Sequence, residues 1–246
     1  MIGDAPPVSP RDPLWLADAQ IGSIEPALAR RMVAAELPIE SMASGWRIVD
    51  ERDADAALAR IAQWLAREGL GSTWRDELLA VTDTAGTTRA RIERAAVRPL
   101  GIATRAVHLI GLTARGSVWV QQRAFDKATD PGQWDTLMGG LQSADESDAQ
   151  TLERETWEEA GLRIADLRDL HAAGRITVRR PVADGYMVER IEIFAATVPD
   201  GITPTNQDGE VARFECLGRP ALRARIESGE FTAEAALILA EVFAAR

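Results

Sequence analysis

"GGLQSADESDAQTLERETWEEAGL", residues 139–162, sets seven carboxylates between Asp145 and Glu159 and holds one basic residue, Arg154. Like charges at helical spacing repel, so a chain that keeps them must either solvate that face or gather a cation on it. On a helix over 147–160, Glu155, Glu158 and Glu159 are related by i, i+3 and i+4 and share one face. Ala149, Leu152 and Thr156 form a second stripe suited to packing on a sheet. Gly161 ends the pattern and Leu162 returns to apolar surroundings. Gly139 and Gly140 read as tight-turn residues that leave a backbone carbonyl aimed at the same place. Asp145 and Asp148 are expected as turn and cap, and Glu153 as a solvent-facing residue. Oxygen-only ligands favour Mg²⁺ or Mn²⁺ over zinc.

The rest of the chain narrows the classes. Thirty-eight acidic against 28 basic residues give a formal charge of −10, which argues against binding nucleic acid, whose phosphates demand a basic footprint. No apolar run reaches the roughly 18 residues of a bilayer span, and "MIGDAPPVSPRDP" lacks the basic end and apolar core of a secretory signal. These features predict a soluble cytoplasmic protein without a membrane partner. Cys216 is the only cysteine, which rules out an intrachain disulfide and cysteine-rich zinc sites, and it reads as a small buried hydrophobe.

Four prolines among residues 1–13 predict a loose tail over 1–19. Residues 20–102 read as a small α+β unit. "SIEPALARRMVAAEL" is helical with Ser23 as its N-cap. A second helix is capped by Asp53, with Ala57, Leu58, Ile61, Trp64 and Leu65 inward and Gly69 past its end. "DELLAVTD" and "RARIERAAV" follow as paired strands. From 103 to 246, a hairpin turning at "ARGS" precedes the acidic stretch. Strands "GRITVRR", "YMVERIEIFAATV" and "EVARFECLG" come after it, then helices near 219–228 and from Thr232, the last with Ala236, Leu239 and Phe243 inward. The fold class expected is α+β: a mixed sheet flanked by helices, behind a small α+β domain.

The acidic stretch resembles the signature of the Nudix hydrolase superfamily. Gly140, Glu146, Arg154, Glu155, Glu158, Glu159 and Gly161 occupy all seven fixed positions without a gap, and Thr156 replaces the usual aliphatic residue. At roughly 6% per position, seven matches arise by chance about once in 10⁹ starts. The resemblance implies an α/β/α sandwich with a mixed sheet and a metal-dependent hydrolase that cleaves a diphosphate linked to another group. Carried over by position, Glu155, Glu158 and Glu159 bind the metal. The Gly139 carbonyl completes the shell, and Glu146 supports the loop or the metal's water shell. Arg154 orients the carboxylates, and Glu155 is one candidate base. "TNQDGEVARFECLG" resembles the stretch where a later glutamate enters beside the box, so Glu210 is the other ligand or base.

Upstream, Arg123 and Lys127 stand where cations meet phosphate, and Trp134 or Trp119 is placed to stack on a ring or to pack in the core. His108, inside "AVHLIGL", reads as a satisfied core histidine. "AVHLIGL", "VWVQQRAFDKATDPGQWDTLMGGL" and "TWRDELLAVTD" with "RIERAAVRPLGI" resemble a Nudix subgroup with an N-terminal extension, related to thiamine pyrophosphokinase-associated sequences. That likeness implies thiamine diphosphate or its oxidised analogues as substrate, cleaved to the monophosphate. ADP-ribose, nucleotide sugars and dinucleotides stay open as alternatives, as does a non-catalytic ligand sensor. Isopentenyl diphosphate isomerases share a similar upstream segment but need a cysteine near the glycines, where this chain has "WDTLMGG". Dimers are common in the family, so a homodimer is compatible with the resemblance.

Overall fold

A computed structural model describes residues 3–49 and 53–244. Backbone contacts divide the chain into two compact units. One comprises Met1–Thr104, Ser143–Asp145 and Thr177–Arg190; the other comprises Arg105–Gln142, Glu146–Ile176 and Ile191–Arg246. The first two and last two residues of the chain lie outside the described residues, and with them the outer ends of the expected tail and last domain.

The first unit is richer in strands than its sequence suggests. The expected loose tail is corrected: the Ala5 N–H donates to Arg179 O and the Arg179 N–H to Gly3 O, each at 2.8 Å, Arg11 Nη2 donates to Ser23 O and Pro99 O, each at 2.6 Å, and strand β1 (Asp12–Leu16) pairs antiparallel with β2 (Ala19–Ile24). Leu14 and Leu16 alternate inward along β1, and that apolar alternation outweighs the flanking prolines. Helix α1 (Pro26–Ala34) starts later than expected, with Glu25 rather than Ser23 at its N-cap. Proline is suited to the first helical position and drives the residue before it into extended backbone, so Pro26 sets the start. Ser23 stays in β2, where its N–H donates to Leu100 O and its hydroxyl accepts from Arg11 Nε, each at 3.0 Å. Strands β3 (Ile39–Met42) and β4 (Gly45–Ile48) complete a sheet in the order β2-β1-β4-β3, with β1 and β4 parallel.

Helix α2 (Ala54–Arg67) matches its reading closely. Asp53 accepts the Ala56 N–H at 2.9 Å, Ala57, Leu58, Ile61, Trp64 and Leu65 are buried, and Gly69 turns the chain at φ +66°. Strands β5 (Leu78–Thr82) and β6 (Thr88–Glu93) form the expected antiparallel ribbon.

The long strand β7 (Ala103–Leu112) turns at Gly116 into β8 (Val118–Arg123). Short strands β9 (Trp134–Asp135) and β10 (Met138–Leu141) pair antiparallel with β8 and β7. Helix α3 (Asp148–Ala160) follows. Strands β11 (Arg168–Val182), β12 (Gly185–Thr197) and β13 (Val211–Leu217) complete a seven-stranded sheet whose main path runs β11-β12-β7-β8-β13. Helices α4 (Arg219–Glu227) and α5 (Ala233–Ala244) close the chain. The α+β class is the one expected.

Under α3 lies a core of Val107, Leu109, Leu137, Met138, Leu152, Ala160, Leu162, Ala196 and Val198, with Trp119, Phe194 and Phe214 packed against it. Four expectations are corrected. Ala149 is exposed, and the buried stripe of α3 is Thr151, Leu152, Thr156, Glu159 and Ala160. On α5 Leu239 is buried as expected, but the residues that share its face are Ala235, Ile238 and Val242, at i, i+3 and i+7, while Ala236 and Phe243 are half-buried at its edge. Cys216 is exposed, since it falls on an outward position one residue before the inward Leu217 of β13. Ser147, not an aspartate, caps α3. Among the described residues no helix is long and apolar enough to cross a membrane.

Candidate active site

The carboxylate helix is held at both ends by its own sequence. Ser147 accepts the Gln150 N–H while the Gln150 side chain accepts the Ser147 N–H at 2.9 Å, a reciprocal capping box. Gly161 ends the helix at φ +61°, a left-handed conformation that glycine takes without steric cost, with its N–H on Trp157 O at 2.8 Å. Asp148 accepts from Gln142 Nε2 at 2.8 Å.

Arg154 organises the face between these ends. Its Nε and Nη2 donate to the two oxygens of Glu146 at 2.7 and 2.8 Å, and its Nη1 donates to Glu155 at 2.8 Å and Glu158 at 3.0 Å. A planar guanidinium fork suits this task, and its carboxylate partners raise the pKa of Arg154 further. Glu146 also accepts from Thr151 Oγ1 at 2.9 Å, so it locks the arginine. Glu153 is exposed, as expected.

Glu159 stands apart from that fork. It is 3% exposed, and its Oε2 accepts from Gln121 Nε2 at 2.9 Å and from the Gly139 N–H at 3.0 Å. Burial, reinforced by the charge of Glu155, pushes its pKa up to about 8. Burial likewise raises Glu155 to about 7, against the lowering effect of Arg154. Two adjacent carboxylates are thus kept from ionising freely unless positive charge arrives.

The two glycines of β10 serve space rather than a turn. Both lie in extended strand, and a Cβ on Gly140 would sit 2.1 Å from Glu155 Cδ. A Cβ on Gly139 would sit 2.3 Å from the His108 ring. His108 is buried and its Nδ1 lies 2.8 Å from Thr136 Oγ1, whose hydroxyl donates to Met138 O at 2.9 Å. Nδ1 therefore carries the proton, and His108 is the satisfied core residue expected, with burial lowering its pKa.

The upstream residues divide. Lys127 pairs with Glu210; the charge of Lys127 is felt at Glu159 and that of Glu210 at Glu155, so the structure brings these two to the carboxylate cluster. Arg123 turns instead to Thr129 O at 3.0 Å and to Asp135 at 3.4 Å. Trp134 is 4% exposed, with the guanidinium groups of Arg213 and Arg225 at 5.2 and 4.9 Å from its ring centroid, so it belongs to the core. Gln121 escaped the sequence reading. The available signal was "VQQR", an amide on a strand whose neighbours Val118 and Val120 are fully buried.

The donor set is all oxygen. Among the described residues no three His, Cys, Asp or Glu side chains already stand together as a cation site, because Arg154 draws Glu155 and Glu158 to itself. The pairing of half-buried Glu155 with buried Glu159, which has no arginine of its own among the described residues, and the room kept for Glu155 at Gly140 nevertheless fit a hard divalent cation.

Fold and site together define a class: an α+β domain in which one arginine-locked carboxylate helix lies against a glycine-bearing strand. A profile of the NUDIX domain matches residues 103–237, more than half of the chain, and the chain belongs to the Nudix family. It is 30% identical over 167 residues to Nudix hydrolase 24, chloroplastic, of Arabidopsis thaliana, covering 65% of this chain and 45% of that one. Nudix hydrolase 20, chloroplastic, of the same plant is 30% identical over 171 residues, covering 67% and 45%. An uncharacterized Nudix hydrolase of Pseudomonas aeruginosa is 36% identical over 93 residues, covering 38% and 55%. The chain thus spans about half the length of the curated relatives it matches. The crystal structure of DR0079 from Deinococcus radiodurans shares the fold, with a TM-score of 0.54 at 20% identity over 66% of this chain and 97% of that one.

Proposed function

We propose that this protein is a Mg²⁺- or Mn²⁺-dependent pyrophosphohydrolase that cleaves a diphosphate linked to another moiety. The observation that carries the reading is the pair of half-buried Glu155 and buried Glu159, brought one helical turn apart against the glycine-bearing strand and each held well above the ordinary carboxylate pKa. Glu155, Glu158 and Glu159 would hold the cation, with the Gly139 carbonyl as a further donor. When bound, a divalent cation neutralises diphosphate charge, polarises a phosphoryl oxygen and lowers the pKa of the attacking water. Arg154 keeps Glu155 and Glu158 in place by charge-assisted bonds. Glu155 and Glu210 are the two candidates for accepting the water's proton. Lys127, tethered to Glu210, offers its ammonium to an incoming phosphate.

The finer reading is that the substrate is thiamine diphosphate or an oxidised analogue, released as the monophosphate. It is supported by the likeness of "VWVQQRAFDKATDPGQWDTLMGGL" and the N-terminal extension to the thiamine-related subgroup. The test is a turnover screen, with Mg²⁺ and with chelator, over thiamine diphosphates, ADP-ribose, nucleotide sugars and nucleoside triphosphates. Oxidised thiamine diphosphate is expected to give a higher kcat/KM than ADP-ribose, and the reverse order overturns that substrate. Chelator-resistant turnover overturns the metal assignment. Saturable binding without turnover would make the domain a ligand sensor.

A further inference from the structure

The segment between β8 and β9, residues 124–133, was expected to supply phosphate cations and a stacking ring at its edges. Arg123 and Trp134 turn inward, and their inward turn shapes what lies between them. Arg123 holds Thr129 O through Nε and Nη2 at 3.3 and 3.0 Å, and Gln122 Nε2 holds Gly132 O at 2.8 Å. The Arg123 N–H donates to Gln133 O and the Ala124 N–H to Glu210 O, each at 2.9 Å. These bonds pin a short loop at its base and along its return, so what it displays is displayed in one place.

What it displays is Phe125. At 73% exposure it is the most exposed aromatic side chain among the described residues. The ring is seated on the backbone of Gly132, where a Cβ would lie 2.7 Å from Phe125 Cε1 and where φ is +72°. Trp157, the next most exposed aromatic at 46%, has Arg163 over its ring at 5.8 Å, whereas among the described residues no cation lies over Phe125. Lys127 follows two residues later beside Glu210. Gln121, the donor to Glu159, is four residues earlier, and four residues of extended chain span at most about 13 Å. The loop thus starts at the donor to Glu159 and brings Lys127 to Glu210, so a diphosphate whose organic end leaves the cluster along this loop would meet Phe125.

We propose that Phe125 is a specificity-determining residue: a bare, seated ring on which the planar aromatic or heteroaromatic moiety of the substrate stacks. The inference rests on the pyrophosphohydrolase reading and sharpens it, because it selects diphosphates joined to a flat ring over sugar-only or ringless ones. Base-on-aromatic stacking is strong and tolerant of which ring is presented, so the platform narrows the class of leaving group without naming it.

The experiment compares wild type, Phe125→Ala and Phe125→Trp. It reads kcat and KM for thiamine diphosphate and ADP-ribose with Mg²⁺, and Kd for both and for inorganic pyrophosphate by calorimetry with Ca²⁺. Phe125→Ala is expected to raise KM and Kd for the ring-bearing probes at least about fivefold, leave kcat within about twofold and leave pyrophosphate binding unchanged. Phe125→Trp is expected to restore the lost affinity, and thermal melting should show the same fold in all three proteins. Equal weakening for pyrophosphate, unchanged binding of both ring-bearing probes, or no binding of them by wild type overturns the stacking role. Phe125-dependent binding without turnover leaves stacking standing and removes the hydrolase reading; turnover indifferent to Phe125 does the opposite.

Discussion

Replacing Glu159 with glutamine is expected to make the metal-free protein more stable while nearly abolishing turnover. Both bonds the fold makes to Glu159 converge on Oε2, from Gln121 Nε2 and the Gly139 N–H. A glutamine can put its carbonyl oxygen there and keep both. What it removes is a charge the fold resists. With the folded pKa pushed by burial to about 8 from its ordinary value of 4.5, the folded state keeps a proton that the unfolded chain has released. Wherever the folded state binds more protons, stability falls as pH rises, so this loss begins near 4.5 and is complete above about 8.

At pH 7 the folded group is still mostly neutral, and the unfolded chain gains about 1.4 kcal/mol for each unit between 4.5 and 7, up to about 3 kcal/mol in all. For a chain of this length, about 2–4 °C per kcal/mol converts that to a Tm rise of roughly 6–12 °C in Glu159→Gln with chelator present. The check is scanning calorimetry at several pH values from 5 to 9. The wild-type slope should exceed that of the variant by up to about 1.4 kcal/mol per pH unit across this window. In the presence of Mg²⁺, kcat should fall at least ~10²-fold, the scale of a lost electrostatic contact in a water-excluded site. A variant no more stable than wild type at pH 8, or one that keeps full activity, would refute the reasoning.

Cation binding should compete with protons at Glu155 and Glu159, whose raised values of about 7 and about 8 lie in the working range. The stabilisation by Mg²⁺ or Mn²⁺ should therefore be larger at pH 8 than at pH 6, and a melting series showing the reverse order would count against the site. Gln121→Leu leaves Glu159 without its side-chain donor, and loss of a hydrogen bond to a charged group predicts a roughly 10- to 100-fold weaker Mn²⁺ affinity by titration. Gly140→Ala puts a methyl within 2.1 Å of Glu155 Cδ, so it should displace that carboxylate and lower kcat about tenfold or more while costing about 1–3 kcal/mol of stability; wild-type kinetics would show the cradle to be irrelevant.

Long periodic elements were legible because their patterns repeat. Helix α2 shows its inward stripe over 14 residues, and the caps Asp53 and Gly69 bound it. The β1–β4 sheet was not legible, since strands of four to six residues give too few alternations to stand out. The signature carboxylates could be placed on one face from spacing alone, but which of them is buried could not. That depends on Gln121 of β8 and Gly139 of β10, two strands whose pairing and placement against α3 only the fold shows. Arg123 and Trp134 show the converse. Their types suited substrate contact, and only the fold shows that Asp135 and Thr129 claim one while Arg213 and Arg225 cover the other.

The rival to a cation site was a solvated acidic face, and burial separates the two. Solvation requires exposure, which Glu153 has and which Glu159, at 3%, does not. Ion pairing could rescue a buried carboxylate, yet Arg154 makes its bonds to Glu146, Glu155 and Glu158, and none is made to Glu159. The two neutral donors on Glu159 lower its pKa, but less than burial and Glu155 together raise it. A helix selected for stability alone would place an apolar or amide side chain there, since a buried acid that resists ionising costs stability at neutral pH. The cost falls on Glu159 and its neighbour Glu155, the two positions where a divalent cation would remove it.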